Sequence, residues 1–345
     1  MYMENISVRT INLRRRFERQ KIEDFLKEHG LEYEKDVDYT LALYYKDDLI
    51  GTGSLSERVL KCIAIDPKYQ GFGIFNRIIT ELIRVQYERG NHHIFVFTKP
   101  SNKKFFEDVG FREIAGVEGK VSLLENNPKG IETYLEELRR RRSDGDRIGA
   151  IVMNCNPFTL GHQYLIEQAA RNSDVVHIFL VWENRSIFPN EVRLRLLREG
   201  TSHLDNVVIH KGKDYIISNS TFPSYFLKEK STVVKSHAML DVKIFAEYIV
   251  PTLGINQRFV GEEPTDYVTN EYNKTMLETL PKYNVEVKKI QRLTTGNQEI
   301  ISASRVRQMI KEDRLDEVAN FLPETTYRFL LSDEAKPIIK RIKES

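Results

Sequence analysis

Residues 154–167 read NCNPFTLGHQYLIE and follow the apolar run IGAIVM at 148–153. A short apolar run without polar alternation is typical of a parallel strand buried on both faces. Pro157 ends strand pairing, and Gly161 lets the backbone approach a ligand closely where a helix starts. We therefore predict a strand, a short connection and a helix whose first turn contains His162.

The start of this helix suits a phosphate group. Its unpaired backbone N–H groups and the positive end of its dipole converge there. Thr159 can add a hydroxyl donor, and His162 an imidazole donor. The alternative is that Thr159 only caps the helix and His162 is a surface residue of its first turn. Asn154 and Asn156, beside the strand end, are candidate ligand contacts unless they only shape the turn.

A second helix start also carries hydroxyl groups. Residues 301–307 read ISASRVR, with Ser302 as the predicted cap. Arg307 offers a planar fork of donors that suits a triphosphate. The alternative is a capped amphipathic helix with two exposed arginines. Its buried stripe is predicted to contain Val306, Met309 and Ile310.

Strands and helices alternate along the second half of the chain. We predict strands in RIGAIVMN, DVVHIFLVW, NVVIHKG, QRFVG and VEVKKI, and helices near 161–172, 190–200, 240–250 and 302–312. This alternation implies right-handed crossovers and a parallel sheet. Ligands of such sheets lie at the carboxyl ends of the strands, where the segment VGEEP also ends a strand.

The first half has a different pattern. DYTLALYYKDDLIGTGSLSERVLKCIAID predicts successive strands, NRIITELIRVQYERG a helix and HHIFVFT a further strand, which together indicate an α+β domain. The charged stretch RRRRSDGDR separates the halves. We therefore predict two domains, residues 1–140 and residues 147–345.

Composition narrows the functional classes. The 345 residues include 52 Lys and Arg against 50 Asp and Glu, so charge does not indicate a nucleic-acid partner. No leader-like start and no run of about 20 apolar residues is present, and we expect a cytoplasmic protein without a membrane partner. Cys62 and Cys155 have no metal-ligand spacing, so we predict neither a disulfide nor a metal held by protein ligands.

The two helix starts resemble known signatures. NPFTLGHQYLIEQA is similar to the T/H-x-G-H signature of the nucleotidylyltransferase superfamily, and ISASRVR to its I-S-x-[ST]-x-x-R signature. The segments IFPNEVRLRLL, YIISNSTFPSYFLKE and DVKIFAEYIVPTLGINQRFVGEEP resemble the citrate lyase ligase family, over about residues 147–320. The resemblance implies a Rossmann-like parallel-sheet nucleotidylyltransferase domain.

The family resemblance also implies a reaction. Acetate and ATP would form an acetyl-adenylate, and the thiol of a phosphoribosyl-dephospho-CoA group on the citrate lyase acyl-carrier subunit would take the acetyl group, leaving AMP and pyrophosphate. Triphosphate chemistry adds Mg²⁺. The implied catalytic residues are Thr159, His162 and Arg307. The implied nucleotide-binding residues are Asn154, Asn156, Phe158, Gly161, His162, Gly261, Glu262, Ser302, Ser304 and Arg307, with Gly261 leaving room for adenine.

The N-terminal half resembles a GNAT acetyltransferase domain through VLKCIAIDPKYQGFGIFNRIITELI and IFVFTKPSNKKFFEDVGFREI. In such domains a Gln/Arg-x-x-Gly-x-Gly/Ala loop holds the coenzyme A pyrophosphate on backbone N–H groups. Gln70 and Gly73 match, whereas Phe75 stands at the last small position. We expect this domain to recognise the CoA-like prosthetic group or its carrier. The alternative is that QGFG is only a turn before a helix.

Other assignments remain open from sequence. Cys155 beside the predicted ATP site invites an acetyl-enzyme, although a small buried cysteine is common in strands. Lys213, Arg193 and Lys235 are candidate contacts to anionic substrate, but surface charge is the simpler explanation of each. The rival functions are a nucleotidylyltransferase that adenylates a phosphorylated small molecule and a non-catalytic nucleotide sensor.

Overall fold

A computed structural model describes residues 6–345 except 184, 218–221, 223, 224, 228, 264, 265 and 297. The chain divides into two compact units. The first comprises Met1–Thr133 and Phe222–Leu240, and the second comprises Tyr134–Thr221 and Asp241–Ser345. The segment 222–240 therefore packs with the first unit, although it lies between elements of the second along the chain.

The first unit is built on one sheet. Its strands are β1 Ile6–Thr10, β2 Tyr39–Tyr45, β3 Asp48–Ser56, β4 Val59–Ile65, β5 Phe95–Thr98, β6 Arg112–Val117 and β7 Val121–Glu125. Its helices are α1 Arg16–Glu28, α2 Ile74–Glu88 and α3 Lys103–Glu107. The predicted strands of 38–66 and 92–98 and the predicted helix of 76–90 are confirmed.

The spatial order of that sheet is β1-β2-β3-β4-β5-β7-β6. Neighbouring strands are antiparallel except β4 and β5, which are parallel and are connected by α2. A β-bulge shifts the register between β3 and β4, and Cys62 of β4 has a φ of 51°. The buried face of α2, with Ile74, Ile78, Ile79 and Leu82, packs on the sheet, because these residues recur at helical spacing.

The second unit carries the second sheet. Its strands are β8 Ile148–Met153, β9 Val175–Leu180, β10 Val207–Lys211, β11 Gln257–Gly261 and β12 Glu286–Ile290. Its helices are α5 Leu160–Asn172, α6 Asn190–Gly200, α8 Val250–Leu253, α9 Tyr267–Thr279, α10 Ala303–Lys311, α11 Glu324–Leu330 and α12 Lys336–Glu344. One boundary between the units falls inside helix α4 Gly130–Arg139, and another falls inside helix α7 Lys230–Ile244.

The second sheet is parallel throughout, in the order β10-β9-β8-β11-β12. All five predicted strands are confirmed. The strand order reverses direction between β8 and β11, so the carboxyl ends of these two strands form the crevice where ligands bind in open parallel sheets. Residues 154–159 follow β8 at that edge.

Helix predictions were less complete. The helix predicted near 240–250 is part of a longer helical run, which comprises α7, a π-helical turn at Phe245–Ile249 and α8. Helix α9 was not predicted. No helix in the described part of the chain combines the length and apolar character needed to cross a membrane.

Candidate active site

Thr159 fixes the start of α5. It is the N-cap, with φ −125° and ψ 167°, and its Oγ1 accepts a hydrogen bond from the His162 N–H at 3.4 Å. In return, His162 Nδ1 accepts the Thr159 N–H at 3.1 Å. This reciprocal capping box satisfies two backbone donors that the helix leaves unpaired. Thr159 is buried, so its hydroxyl serves to hold His162.

The capping box selects one tautomer of His162. Because Nδ1 accepts from Thr159, the neutral ring carries its proton on Nε2. Burial, and after it the positive charge of Arg292, lowers the pKa of His162 from 6.5 to about 4. The ring of Phe158 stacks on the imidazole with 5.9 Å between centroids. At neutral pH His162 is therefore a fixed, uncharged Nε2–H donor.

Gly161 brings the two predicted motifs into contact. A β-carbon at Gly161 would lie 2.8 Å from the backbone oxygen of Ile301, inside the closest approach of real β-carbons. We expected this glycine to admit a ligand, but its space is taken by the segment that precedes α10. The glycine thus lets the start of α5 lie against the start of α10.

The second motif is confirmed as a capped helix. Ser302 Oγ accepts the Arg305 N–H at 3.1 Å, and Val306, Met309 and Ile310 are buried. Arg305 forms an ion pair with Glu299, away from Arg307. Ser304 is exposed beside the cap.

Arg307 reaches from α10 to the end of β8. Its Nη1 donates to the backbone oxygen of Asn156, and its Nη2 lies 3.4 Å from Ser304 Oγ. Burial lowers the pKa of Arg307 from its ordinary value. A guanidinium has five N–H donors, so this bond orients the group without using all of them.

The loop after β8 is organised by Arg193, which sequence reasoning treated as a candidate substrate contact or a surface charge. Both readings are wrong, because Arg193 is fully buried and all its bonds are internal. Its Nη1 donates to Asn154 O, Asn154 Oδ1 and Val181 O at 2.6 to 2.9 Å. The remaining acceptors are the oxygens of Phe188, Glu183 and Asn190.

Asn154 and Asn156 are both held by neighbours. Asn154 Oδ1 accepts from Arg193 at 2.6 Å, although the residue itself remains exposed. Asn156 Oδ1 accepts the Phe188 N–H at 3.0 Å. Phe158 is completely buried in the core, where its ring contacts Gly200. Of these three predicted residues, only Asn154 presents an exposed side chain, and Phe158 can offer a ligand only its backbone.

The end of β11 borders open space. A β-carbon at Gly261 would meet no atom within 4 Å, so packing does not require glycine there. The following residue, Glu262, is exposed, and its backbone oxygen accepts a 2.6 Å hydrogen bond from Arg292 Nε. Arg292 also pairs with Glu263. Sequence reasoning missed Arg292; its position after β12, on the ligand-binding edge, was the available signal.

Cys155 is unsuited to nucleophilic chemistry. The residue is fully buried, and burial raises the pKa of its thiol far above the ordinary value. The thiolate is the reactive form of cysteine, so this environment suppresses it. No cluster of three His, Cys, Asp or Glu side chains able to hold a metal occurs among the described residues.

The other predicted residues have surroundings of their own. Lys213 pairs with Glu137 at 2.5 Å. Lys235 and Gln70 are exposed residues of the first unit. Gly73 is the left-handed N-cap of α2, with φ 75°. The ring of Phe75 packs edge-on against Phe106, with 5.1 Å between centroids.

A parallel sheet with two capped helix starts in contact at its point of strand reversal defines the second unit as a nucleotidylyltransferase-like α/β domain. Two family models match the chain. The acetyltransferase (GNAT) domain covers residues 13–124, and the citrate lyase ligase C-terminal domain covers residues 148–330. The predicted fold class, GNAT-like α+β followed by a Rossmann-like parallel sheet, is confirmed.

Curated relatives are similar to this chain over most of its length. The [Citrate [pro-3S]-lyase] ligase of Klebsiella pneumoniae is 40% identical over 317 residues, which cover 91% of this chain and 92% of that protein. The protein of the same name from Escherichia coli strain K12 is 40% identical, with 90% and 89% covered. That from Haemophilus influenzae is 39% identical, with 90% and 94% covered. The chain belongs to the citrate lyase ligase family.

Proposed function

We propose that this chain uses ATP to join acetate to the prosthetic-group thiol of the citrate lyase acyl-carrier subunit. The observation that carries the proposal is the meeting of the two helix starts, through Arg307 and Asn156 O and through Gly161 and Ile301. These contacts support a single site at the carboxyl edge of the sheet that uses donors from both motifs. Family membership supplies the substrates.

In the first step an acetate oxygen attacks the α-phosphorus of ATP. The new O–P bond gives acetyl-adenylate, and the bond to pyrophosphate breaks. In the second step the carrier thiol, with its proton lost to solvent, attacks the acetyl carbonyl, and AMP leaves. No protein nucleophile is required in either step, which agrees with the suppressed thiolate of Cys155.

The protein's part is to stabilise charge that builds on the phosphates. The Nε2–H of His162 is the proposed donor at the α-phosphate, because its tautomer is fixed and its charge state does not vary near neutral pH. Arg307, with Ser302 and Ser304 at the start of α10, is proposed to hold the β- and γ-phosphates. Thr159 is a positioning residue that acts through His162.

The remaining site residues are assigned to the nucleotide and the acid. The open space at Gly261 and the exposed Glu262 fit an adenosine group. Asn154 is the proposed contact to acetate, and Asn156 orients Arg307 through its backbone oxygen. Mg²⁺ would be held chiefly by phosphate oxygens and water, and it would neutralise charge on the leaving pyrophosphate.

The test is to identify the products. The full chain is incubated with ATP, Mg²⁺, acetate and the deacetylated acyl-carrier subunit, and the carrier is examined by intact mass spectrometry. We expect the mass of one acetyl group on the carrier, with AMP and pyrophosphate formed in equal amounts. If pyrophosphate appears only with a phosphorylated small molecule, the rival nucleotidylyltransferase function replaces this proposal. ATP binding without pyrophosphate from any acid would indicate a sensor.

A further inference from the structure

The sheet of the first unit is split at one place. The parallel strands β4 and β5 pair only at Val59 with Phe95 and at Leu60 with Val96. Beyond these pairs the two carboxyl ends separate, at the bulge that contains Cys62. Buried backbone groups that lose a strand partner need another. The split therefore requires an occupant.

Tyr225 reaches β5 with its hydroxyl, and each of its polar groups has a partner. Its hydroxyl donates to the backbone oxygen of Phe97 on β5 at 3.2 Å. Its N–H donates to Glu34 Oε1 at 3.1 Å, and its backbone oxygen accepts the Glu32 N–H at 2.9 Å. Only 7% of Tyr225 is exposed. A buried tyrosine satisfied at three points occupies a site built for it.

The surroundings of Tyr225 are equally specific. Phe222 packs edge-on against Phe97 with 5.5 Å between centroids. Glu34, which accepts from Tyr225, also pairs with the buried Lys61 of β4 at 2.7 Å. Cys62, next to Lys61, is fully buried and its thiol lies 3.7 Å from Glu32 O. A charged pair inside the unit thus anchors the tyrosine, since breaking such a pair is costly.

The fold of this unit implies a CoA-type ligand. Whether such a ligand fits depends on what lies in the split between β4 and β5. A pyrophosphate at the start of α2 would direct the rest of the ligand along the carboxyl ends of β4 and β5, because α2 connects those strands. That path runs into the gap that Tyr225 fills. At the start of α2, the ring of Phe75 occupies the position where the loop pattern has a small residue. The described residues do not fit the ligand.

We infer that the split between β4 and β5 is a socket for Tyr225 of the same chain, and that this contact closes the first unit to acyl-CoA and to a CoA-like arm. The expected recognition of the prosthetic group through the Gln70–Gly73 loop does not fit this arrangement. The acetylation proposed for the second unit does not depend on the socket, since His162 and Arg307 lie outside the first unit.

The first experiment uses the full chain and acetyl-CoA. Calorimetric titration of the wild type to about 1 mM acetyl-CoA is expected to show no binding, which corresponds to a Kd weaker than the millimolar range. Binding of acetyl-CoA by the wild type below about 100 μM, with protection of Cys62 from alkylation, would overturn the inference.

The second experiment measures alkylation of Cys62 by N-ethylmaleimide, mapped by peptide mass spectrometry, with Cys155 as internal reference. Burial raises the pKa of Cys62 to about 12, so wild-type labelling is expected to be slow. Tyr225→Ala should speed labelling of Cys62 relative to Cys155 by about 10-fold or more, and Tyr225→Phe by less. Tyr87→Ala, which changes an exposed tyrosine of the same unit, is the matched control.

An unchanged Cys62 rate in Tyr225→Ala would contradict the socket. If Tyr225→Ala unfolds the first unit, Cys62 reacts fast while Cys155 of the second unit stays protected. Circular dichroism of the same sample identifies that case, and the Tyr225→Phe comparison then decides. Acetate-dependent pyrophosphate exchange is measured on the same samples. Its retention in the Tyr225 variants separates failure of the socket from failure of the proposed adenylation.

Discussion

The α-carbon of Gly161 lies so close to the backbone oxygen of Ile301 that a β-carbon would come within 2.8 Å of it. The helix starts at Leu160 and Ala303, which are far apart in sequence, are therefore neighbours through backbone contact. Because a backbone oxygen cannot rotate away as a flexible side chain does, the contact sets the spacing between His162 and Arg307.

Replacing Gly161 with alanine is expected to weaken both stability and activity. The added methyl must push α5 and the segment before α10 apart, and overpacking of this kind costs about 1–3 kcal/mol. The free energy of unfolding from urea denaturation and the rate of acetate-dependent pyrophosphate exchange measure the two effects. We expect the exchange rate to fall by more than the loss of folded protein explains.

Gly261→Ala is the matched control for this glycine. Its β-carbon would meet no protein atom within 4 Å, so the free energy of unfolding should stay within about 0.5 kcal/mol of wild type. If adenosine lies there, the KM for ATP rises. If Gly161→Ala and Gly261→Ala lower the free energy of unfolding equally, the contact between Gly161 and Ile301 is not the cause of the destabilisation.

Arg193→Met should destabilise the second unit by about 3 kcal/mol or more, because several buried oxygens lose their donor at once. Arg195→Met, two residues on, removes an exposed arginine paired with Glu334, and should cost at most about 1 kcal/mol. Thermal and urea unfolding measure both. Arg193→Met with wild-type stability and a raised KM for acetate would instead support a substrate contact.

The charge state of His162 can be observed directly. Nitrogen-15 NMR of histidine-labelled protein should show a neutral ring with the proton on Nε2 from pH 8 down to about pH 5, since the folded pKa is lowered from 6.5 to about 4. Between about pH 6.5 and about pH 4 the imidazole binds a proton in the unfolded chain but not in the folded protein, so stability falls as the pH falls through that range. An imidazole that titrates near 6.5 would contradict the assigned donor.

Cys155→Ala should leave both half-reactions intact. A buried thiol with a raised pKa supplies no nucleophile, so exchange and carrier acetylation are each expected within about 3-fold of wild type. Rapid quench separates the two steps. If adenylate still forms but the carrier is no longer acetylated, an acetyl-cysteine intermediate must be restored to the mechanism.

Sequence reasoning located the elements of the site because local signals encode them. The apolar run at 148–153, the Thr159 cap and the Ser302 cap each depend on residues within one turn of the chain. Helical spacing likewise predicted the buried residues Val306, Met309 and Ile310 of α10. Local sequence patterns were therefore sufficient to predict the strand and the two capped helices.

The misread residues depend on contacts from distant parts of the chain. Arg193 was interpreted as a substrate contact or a surface charge, yet its acceptors include backbone oxygens that follow the ends of β8 and β9. Arg292 lies near His162 only because β12 is placed at the sheet edge. Tyr225 belongs to a segment that leaves one unit and packs in the other. Composition and periodicity do not predict such tertiary contacts.

The most direct test of the account is exchange of labelled pyrophosphate into ATP, with and without acetate. Wild type should exchange only with acetate. His162→Ala should lose about 100-fold or more of this rate while remaining folded, because one fixed donor to developing phosphate charge is removed. His203→Ala, which changes an exposed histidine paired with Glu167, should match wild type. Full exchange in His162→Ala, or wild-type exchange that is indifferent to acetate, would contradict the account.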